Sequence, residues 1–195
     1  MSATSVLTAA VGVMASVLKP LGFERRGLKL VRTGDEVISL IELQPSRQKT
    51  AESLTFVVNY GVVVPSLFLG RDLKKPEYTQ CHWGGRVAGV DGKEGWWPVR
   101  VDDAPEQVAV KLKELVDSNV LPALEGKQRE ADLIALWKTG RGPLLVEAQR
   151  LQCLAQLLHR AGRYQEVAEV RAQLEQKAVN PFAVRALEKV KALGG

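Results

Sequence analysis

The sequence predicts an α+β protein: an antiparallel β-sheet packed against an N-terminal helix and a second helix, followed by an all-helical C-terminal segment. Three observations predict this class. Apolar residues recur at period two through residues 54–64, which is typical of a β-strand. Apolar residues recur at helical spacing through residues 7–18. After residue 126 no strand pattern remains, and helical periodicity continues to the C-terminus.

The N-terminal segment is uncharged through residue 18, so a core helix must be distinguished from a leader or a membrane segment. A signal peptide begins with Lys or Arg, whereas this chain begins with small and polar residues. No apolar run reaches the roughly 20 residues that span a bilayer. We therefore expect an amphipathic helix, capped by Thr4 or Ser5, that packs on the core. It ends near Lys19, because a residue that precedes proline disfavours the α conformation.

The strands follow in chain order. A short strand is predicted at 28–31 and a second at 37–43. The second is apolar at nearly every position and is therefore expected to be central and covered on both faces. After the alternating strand at 54–64, residues 86–101 predict a hairpin around the tight-turn pair Asp91-Gly92.

Helices account for the rest of the chain. The second helix begins after Asp102-Asp103 and runs to about residue 119. The later helices are predicted at 128–138, 143–160, 164–177 and after Asn180, which caps a helix that begins with Pro181. We predict two parts: an α+β sheet domain at 1–125, and a docked helical hairpin or small helical bundle at 126–195.

Cysteine content and charge constrain compartment and partners. Cys81 and Cys153 are the only cysteines, which favours a reducing, cytoplasmic compartment. The net charge of +5 lies wholly in residues 126–195, which carry 12 Lys or Arg and 7 Asp or Glu. Attraction to an acidic partner would therefore lie in the C-terminal third. Acidic residues interleave with these cations and no aromatic platform accompanies them, so the pattern disfavours nucleic-acid binding.

The common catalytic signatures are absent from the sequence. It contains no Walker A loop, no GxGxxG after a strand and no GxSxG elbow. Two His and two Cys lack the spacing of a zinc site, so no metal and no cofactor is predicted. Cys81 and His82 are adjacent, and neighbours on an extended segment point to opposite faces, which disfavours a catalytic pair. We assign no catalytic residue, and the sequence disfavours enzymatic activity while leaving an unrecognised enzyme as an alternative.

The candidate binding residues cluster within a short stretch of sequence. His82, Trp83, Arg86, Trp96 and Trp97 fall within 16 positions. Trp and Arg commonly anchor binding sites. The alternative is that the tryptophans cap the sheet with their indole N–H groups paired.

Two polar residues on apolar strands are further candidates. Asn59 interrupts the alternating strand, where it either binds a ligand or is a satisfied structural amide. Glu42, near the end of the central strand, is a candidate acid or base. Its alternative role is to pair with Arg26, Arg47 or Arg86.

Four sequence elements together resemble a known family. They are LKPLGFERRG at 18–27, IELQPS at 41–46, FVVNYGV at 56–62, and CHWGGR at 81–86 with Trp96-Trp97. In this order they resemble a bacterial family catalogued as domain of unknown function 4304, over about residues 5–125. The resemblance implies an α+β domain, and it implies neither an established activity nor catalytic residues. The helical segment after 126 lies outside it.

These observations favour a non-enzymatic protein-interaction module, of adaptor or toxin-neutralising type, whose partner is another protein. One alternative is a small-ligand-binding protein or an unrecognised enzyme, with a pocket lined by Asn59, His82, Trp83, Arg86 and Trp96. Another alternative is nucleic-acid association through the basic C-terminal helices. The sequence predicts no membrane association and leaves the oligomeric state open.

Overall fold

The computed structural model describes residues 2–68, 73, 75–89 and 95–194. Within them the chain forms an antiparallel sheet and α-helices, which confirms the predicted α+β class. The strands are β1 (Glu24–Arg26), β2 (Lys29–Thr33), β3 (Ile38–Pro45), β4 (Ser53–Val63), β5 (Trp83–Arg86) and β6 (Trp97–Arg100). The helices are α1 (Ala3–Leu18), α2 (Pro105–Leu115), α3 (Leu121–Leu124), α4 (Glu130–Lys138), α5 (Glu147–Arg160), α6 (Tyr164–Lys177) and α7 (Pro181–Lys191).

The first four strands form an antiparallel meander, in which each strand pairs with the next along the chain. β3 therefore lies inside the sheet, as its apolar sequence predicted. Ile41 belongs to the main core and Leu40 to a smaller cluster on the other face, and both are fully buried. A strand covered on both faces requires apolar residues at successive positions, and this explains the uninterrupted run.

The two strands after β4 differ from the predicted hairpin. β5 pairs with the second half of β4, with Arg86 opposite Asn59, and β6 pairs with its beginning, with Trp97 opposite Phe56. Both strands run antiparallel to β4, and they lie one after the other along the same edge of β4. In the described residues each pairs with β4 and not with the other, so the hairpin prediction is wrong. The predicted turn at 91–92 lies outside the described residues. A tight-turn dipeptide is a local signal, and here the 11-residue β4 offers an edge long enough for both four-residue strands.

Helix α1 covers one face of the sheet. Its N-cap is Ser2, whose Oγ accepts a hydrogen bond from the Ser5 N–H at 3.2 Å, so the predicted caps Thr4 and Ser5 lie inside the helix. An N-cap side-chain oxygen accepts a hydrogen bond from the N–H of the second or third helical residue. Ser5 is the third residue of α1, so Ser2 is the residue in the capping position. The predicted apolar positions are all buried: Leu7, Val11, Met14 and Leu18.

By length and composition alone, the 19-residue stretch Ala3–Leu21 is long and apolar enough to cross a membrane, although the sequence analysis found no such run. Core helices of soluble proteins and signal sequences meet the same criterion. In this structure α1 packs against α2 and the sheet, and its buried face forms part of the main core.

Helix α2 continues further than predicted. A π-helical turn at Val116–Val120 joins it directly to α3, so helical structure extends to Leu124. Pro122 is compatible with this path because it lies in the first turn of α3, where the missing N–H breaks no hydrogen bond within that helix.

The later helices match their predicted positions closely. Asn180 caps α7 as predicted, since its Oδ1 accepts hydrogen bonds from the Phe182 and Ala183 N–H groups, both at 3.0 Å. Helix α5 begins at Glu147 and not at residue 143. The reason is that Leu144 has a φ of 78°, a left-handed conformation that an α-helix cannot contain.

One continuous cluster of buried apolar residues joins the sheet to the C-terminal helices. Trp137 of α4 is fully buried within it. Two polar contacts fix the start of α4: the Glu130 N–H donates to Glu36 Oε2 at 2.6 Å, and Ser66 Oγ donates to Glu130 Oε1 at 2.5 Å. These bonds tie α4 to the turn before β3 and to the segment after β4.

Gly84 lies against β4 without room for a side chain. A Cβ at this position would lie 2.2 Å from the Tyr60 carbonyl oxygen and 2.8 Å from the Gly61 Cα. Backbone atoms of a central strand cannot move aside, so Gly84→Ala should lower the free energy of unfolding by about 2 kcal/mol or more. Urea denaturation measures this loss.

Gly12→Ala is the control for this substitution. A Cβ at Gly12 meets only the end of the Arg25 side chain, at 2.7 Å, which can shift at the cost of weakening its exposed hydrogen bonds to the Thr8 and Gly27 carbonyl oxygens. Alanine also favours the helix that contains it. Gly12→Ala should therefore cost much less, and equal losses at the two positions would contradict the packing described for β5.

Candidate functional site

The residues that the sequence singled out occupy separate parts of the sheet. Asn59 and Arg86 are cross-strand partners, and Trp96 and Trp97 are neighbours at the other end of the β4 edge. His82 is buried just before β5. Trp83 packs into the main core on the opposite face from Arg86. The described residues therefore place these six side chains around more than one site.

A row of polar side chains crosses the sheet on the face opposite α1. The strand register places Arg26, Lys29, Glu42, Asn59 and Arg86 successively opposite one another across β1 to β5. Directly opposed residues in an antiparallel sheet project from the same face. We call these five residues the polar row.

Asn59 lies at the buried part of the polar row, with no solvent exposure. Its Nδ2 donates to Gln44 Oε1 at 2.9 Å, and its Oδ1 accepts from Arg86 Nε at 3.0 Å. Both ends of the amide are thus hydrogen-bonded, as a buried polar group requires. The consequence for the site is that Asn59 orients the Arg86 guanidinium.

Glu42 connects the polar row to the segment before β5. Its Oε1 lies 3.6 Å from Lys29 Nζ, and its Oε2 accepts the Tyr78 N–H at 3.1 Å. Lys29 Nζ also donates to the Pro76 carbonyl oxygen at 3.3 Å. Sequence reasoning names three arginines as partners of Glu42 and misses Lys29, because only the β2–β3 register reveals that the two are opposed.

Cys81 and His82 are both held in their uncharged forms. Burial raises the pKa of Cys81 to about 12, and the nearby Glu42 carboxylate adds to that increase. Burial lowers the pKa of His82 to about 4. Its Nδ1 accepts the Val64 N–H at 3.1 Å, and its ring contacts Phe68. The pair therefore lacks the thiolate on which a cysteine nucleophile depends.

Trp83 links β5 to the C-terminal part of the chain. It is 8% exposed and lies 6.0 Å from the Tyr60 ring between centroids. Lys127 Nζ lies 4.5 Å from its ring centroid, which is the geometry of a cation–π contact. These contacts occupy Trp83 with internal packing.

Trp97 lines a groove between β6 and α2. The groove has a volume of about 330 Å³ and an apolar wall formed by Phe56, Trp97, Val108, Leu112 and Leu115. The Trp97 indole N–H is buried without a hydrogen-bond partner in the described part of the chain, unlike the paired N–H expected of a sheet-capping tryptophan. The neighbouring Trp96 is 46% exposed. Sequence reasoning finds both tryptophans but misses α2 as the second wall.

The basic C-terminal helices are extensively ion-paired. At least seven of their twelve cations lie within ion-pair distance of a carboxylate, among them Lys138 and Arg163 with Glu166. Arg150 is only 5% exposed, and its guanidinium contacts Glu147. This pairing lowers the positive potential that a nucleic-acid backbone would need.

In the described ranges, no group of three or more His, Cys, Asp or Glu side chains could hold a metal ion. The polar row contributes a single carboxylate, Glu42. The groove beside Trp97 has an apolar wall, and the polar row carries three cations and one carboxylate.

Comparison with known proteins identifies a family for this chain. A family model described as "Domain of unknown function (DUF4304)" matches residues 14–126, more than half of the chain. This match confirms the resemblance seen in the sequence. No curated protein and no solved structure matches the chain.

The low pKa of His82 predicts a specific loss of stability in acid. The folded state disfavours protonation of His82, whereas the unfolded chain binds a proton at the usual pKa of 6.5. Its contribution to stability is therefore complete above pH 6.5 and is lost as the pH falls towards 4. The loss should reach about 3 kcal/mol near pH 4.

His82→Asn isolates this contribution, because its carbonyl oxygen can still accept the Val64 N–H and does not titrate. Unfolding free energies from urea denaturation at several pH values should fall less steeply for this variant than for the wild type. His82→Leu should show the same shallow slope but lower stability at pH 7, since it leaves the Val64 N–H unpaired. Parallel wild-type and variant curves would contradict the assignment.

Proposed function

We propose that this chain, which belongs to the DUF4304 family, is a protein-interaction module that binds its partner through Trp96 and the groove between β6 and α2. One observation carries the proposal: an exposed tryptophan lies next in sequence to a tryptophan that lines an apolar groove. We refer to Trp96 and this groove together as the tryptophan surface.

The shape and chemistry of the groove suit the apolar side chains of a partner. Three aliphatic residues of α2 face two aromatic residues of the sheet across it. Protein interfaces bury such clusters at their centre and surround them with polar groups. Here Asp103, Gln107 and Lys111 provide polar groups along the same groove.

The rigidity of the groove also favours binding. The Asp103 carboxylate accepts the Arg100 N–H at 2.7 Å, which fixes the turn between β6 and α2. This bond fixes the connection between the two walls in the absence of a partner. A preformed groove reduces the conformational entropy that association must overcome.

Catalysis is less well supported than binding. Cys81 and His82 are buried away from the tryptophan surface, and their pKa values keep the thiol protonated and the imidazole neutral at pH 7. Asp103, the one carboxylate of the described groove lining, is engaged in the turn. The proposal therefore assigns the groove to recognition.

The test begins with a photo-reactive phenylalanine analogue at position 96 in cells of the native host, followed by purification of the cross-linked partner. Trp96→Ala should weaken binding of the purified partner by about tenfold or more, because loss of a tryptophan side chain from an interface commonly costs that much affinity. Gln107→Arg, which places a long side chain at the groove, should also weaken it. Isothermal titration calorimetry measures both effects.

Phe182→Ala is the matched control, since Phe182 of α7 is also an exposed aromatic residue, at 68%. It should leave the affinity unchanged. A partner that binds Trp96→Ala and Gln107→Arg as tightly as the wild type would overturn the proposal. So would the absence of any partner that cross-links from position 96.

A further inference from the structure

We propose that Arg32 is the centre of a second binding site, which takes the oxyanion group, a carboxylate or a phosphate, of a ligand that also carries an apolar part. Arg32 lies in β2 and projects from the same face of the sheet as Leu30, which belongs to the main core beneath α1. Its guanidinium lies over the ring of Phe23 and beside the hydroxyl of Ser39. We call these three residues, Arg32, Phe23 and Ser39, the arginine platform.

Two contacts hold the guanidinium in place. Its Cζ lies 5.0 Å from the centroid of the Phe23 ring, which is the geometry of a cation–π contact. Its Nη2 donates to Ser39 Oγ at 3.3 Å, and Ser39 is opposed to Arg32 in the β2–β3 register. Phe23 and Ser39 are both buried, so they are fixed parts of the fold. The guanidinium is therefore positioned before any ligand binds, which lowers the entropy cost of binding.

The charge of Arg32 is not paired within the protein. Among the residues that the structure describes, no carboxylate lies within ion-pair distance of Arg32, and Ser39 is its only hydrogen-bond partner. Lys29 of the same strand differs in this respect, because it is opposed to Glu42 and lies 3.6 Å from its carboxylate. Most of the N–H groups of the Arg32 guanidinium thus remain free to donate to a ligand.

Partial burial makes this unpaired charge a favourable place for an oxyanion. Burial lowers the pKa of Arg32, because it weakens the hydration of the charged guanidinium. A carboxylate or phosphate that bonds to the guanidinium replaces the hydration lost in folding. The planar guanidinium fork matches two oxygens of such a group, and the paired hydrogen bonds are stronger where water is partly excluded.

Apolar surface lies next to the arginine platform. The stem of Arg32 packs against Gly22, where a Cβ would lie 3.5 Å from Arg32 Cγ. Leu21, the preceding residue, is 48% exposed. An exposed leucine beside a positioned cation suits a ligand in which an apolar part lies close to the oxyanion.

The arginine platform is separate from the tryptophan surface. Ser39 is opposed to Val62 near the end of β4, whereas Trp97 is opposed to Phe56 near its beginning. The two surfaces share no residue in the described chain. Failure of one proposal therefore leaves the other intact.

Phenyl phosphate and phenylacetate are suitable probes, with 2-phenylethanol as the neutral analogue. In the ¹⁵N-labelled full chain, the Nε–H resonance of Arg32 should shift saturably with one or both anions and not with the alcohol. Higher salt should weaken the binding, because ions screen a charge that is partly exposed. Inorganic phosphate should bind more weakly than phenyl phosphate, since it makes no contact with Leu21.

Arg32→Met and Arg32→Lys separate charge from geometry. Methionine keeps an apolar stem over Phe23 without the charge, and lysine keeps the charge without the planar fork. Each should weaken anion binding by about tenfold, as expected for loss of hydrogen bonds between charged groups. The backbone N–H resonances of Phe23 and Ser39 report binding in both variants. Thermal melts show whether each variant folds, and Arg32→Lys tests the proposal even if Arg32→Met does not.

Arg141→Met is the matched control, since Arg141 is an exposed arginine between α4 and α5. It should bind the anions as the wild type does. The proposal is overturned if neither anion binds, if 2-phenylethanol binds as tightly, if the Arg32 variants keep wild-type affinity, or if Arg141→Met weakens binding equally. Binding of only one of the two anions would support it and identify the oxyanion as a carboxylate or a phosphate.

Discussion

The pairing of β4 with three other strands determines where both candidate surfaces lie. Along one edge β4 pairs with β3, and along the other it pairs with β5 and β6 in turn. The pairing with β5 places Arg86 opposite Asn59 and so completes the polar row. The pairing with β6 places Trp97 opposite Phe56 and so forms one wall of the groove. If β5 and β6 paired with each other instead, Arg86 would leave the polar row and Trp97 would leave the groove.

Side-chain alternation along β4 then separates the two surfaces. Phe56, Val58 and Val62 face the main core with α1 and α2, and Asn59 and Val63 face the other side. A slip of one residue in the β4–β5 register would turn Arg86 towards the apolar core, where an unpaired guanidinium is costly. The buried amide of Asn59 opposes such a slip, because it bonds both Gln44 and Arg86. The hydrogen bonds of the polar row thus help to hold the β3–β4–β5 strand register that brings its residues together.

Much of the fold could be predicted from local sequence patterns. Each correctly predicted feature depends on residues that are close together in the sequence. Examples are the alternation at 54–64, the helical spacing in α1 and the Asn180 cap. The predicted hairpin at 86–101 was wrong because a turn signal carries no information about which distant strand will pair with the flanking residues. Glu42 and Lys29 illustrate the same limit, since their opposition follows from the β2–β3 register.

The same limit applies to the candidate surfaces, because strand pairing decides which residues come together on each face. Composition identified Trp96, Trp97, Asn59 and Arg86 as unusual, but their division between two faces depends on strand pairing. His82 and Trp83 are both buried, which residue type alone does not reveal.

Disulfide cross-linking tests the strand arrangement most directly. Ser53 and Arg100 are opposed across β4 and β6, whereas a hairpin of residues 86–90 with 96–101 would oppose Arg86 and Arg100. The native cysteines do not interfere, because burial raises the pKa of both to about 12. The account predicts that Ser53→Cys with Arg100→Cys forms a disulfide under mild oxidation and that Arg86→Cys with Arg100→Cys does not, since a disulfide requires closely spaced Cα atoms. The reverse result would contradict it.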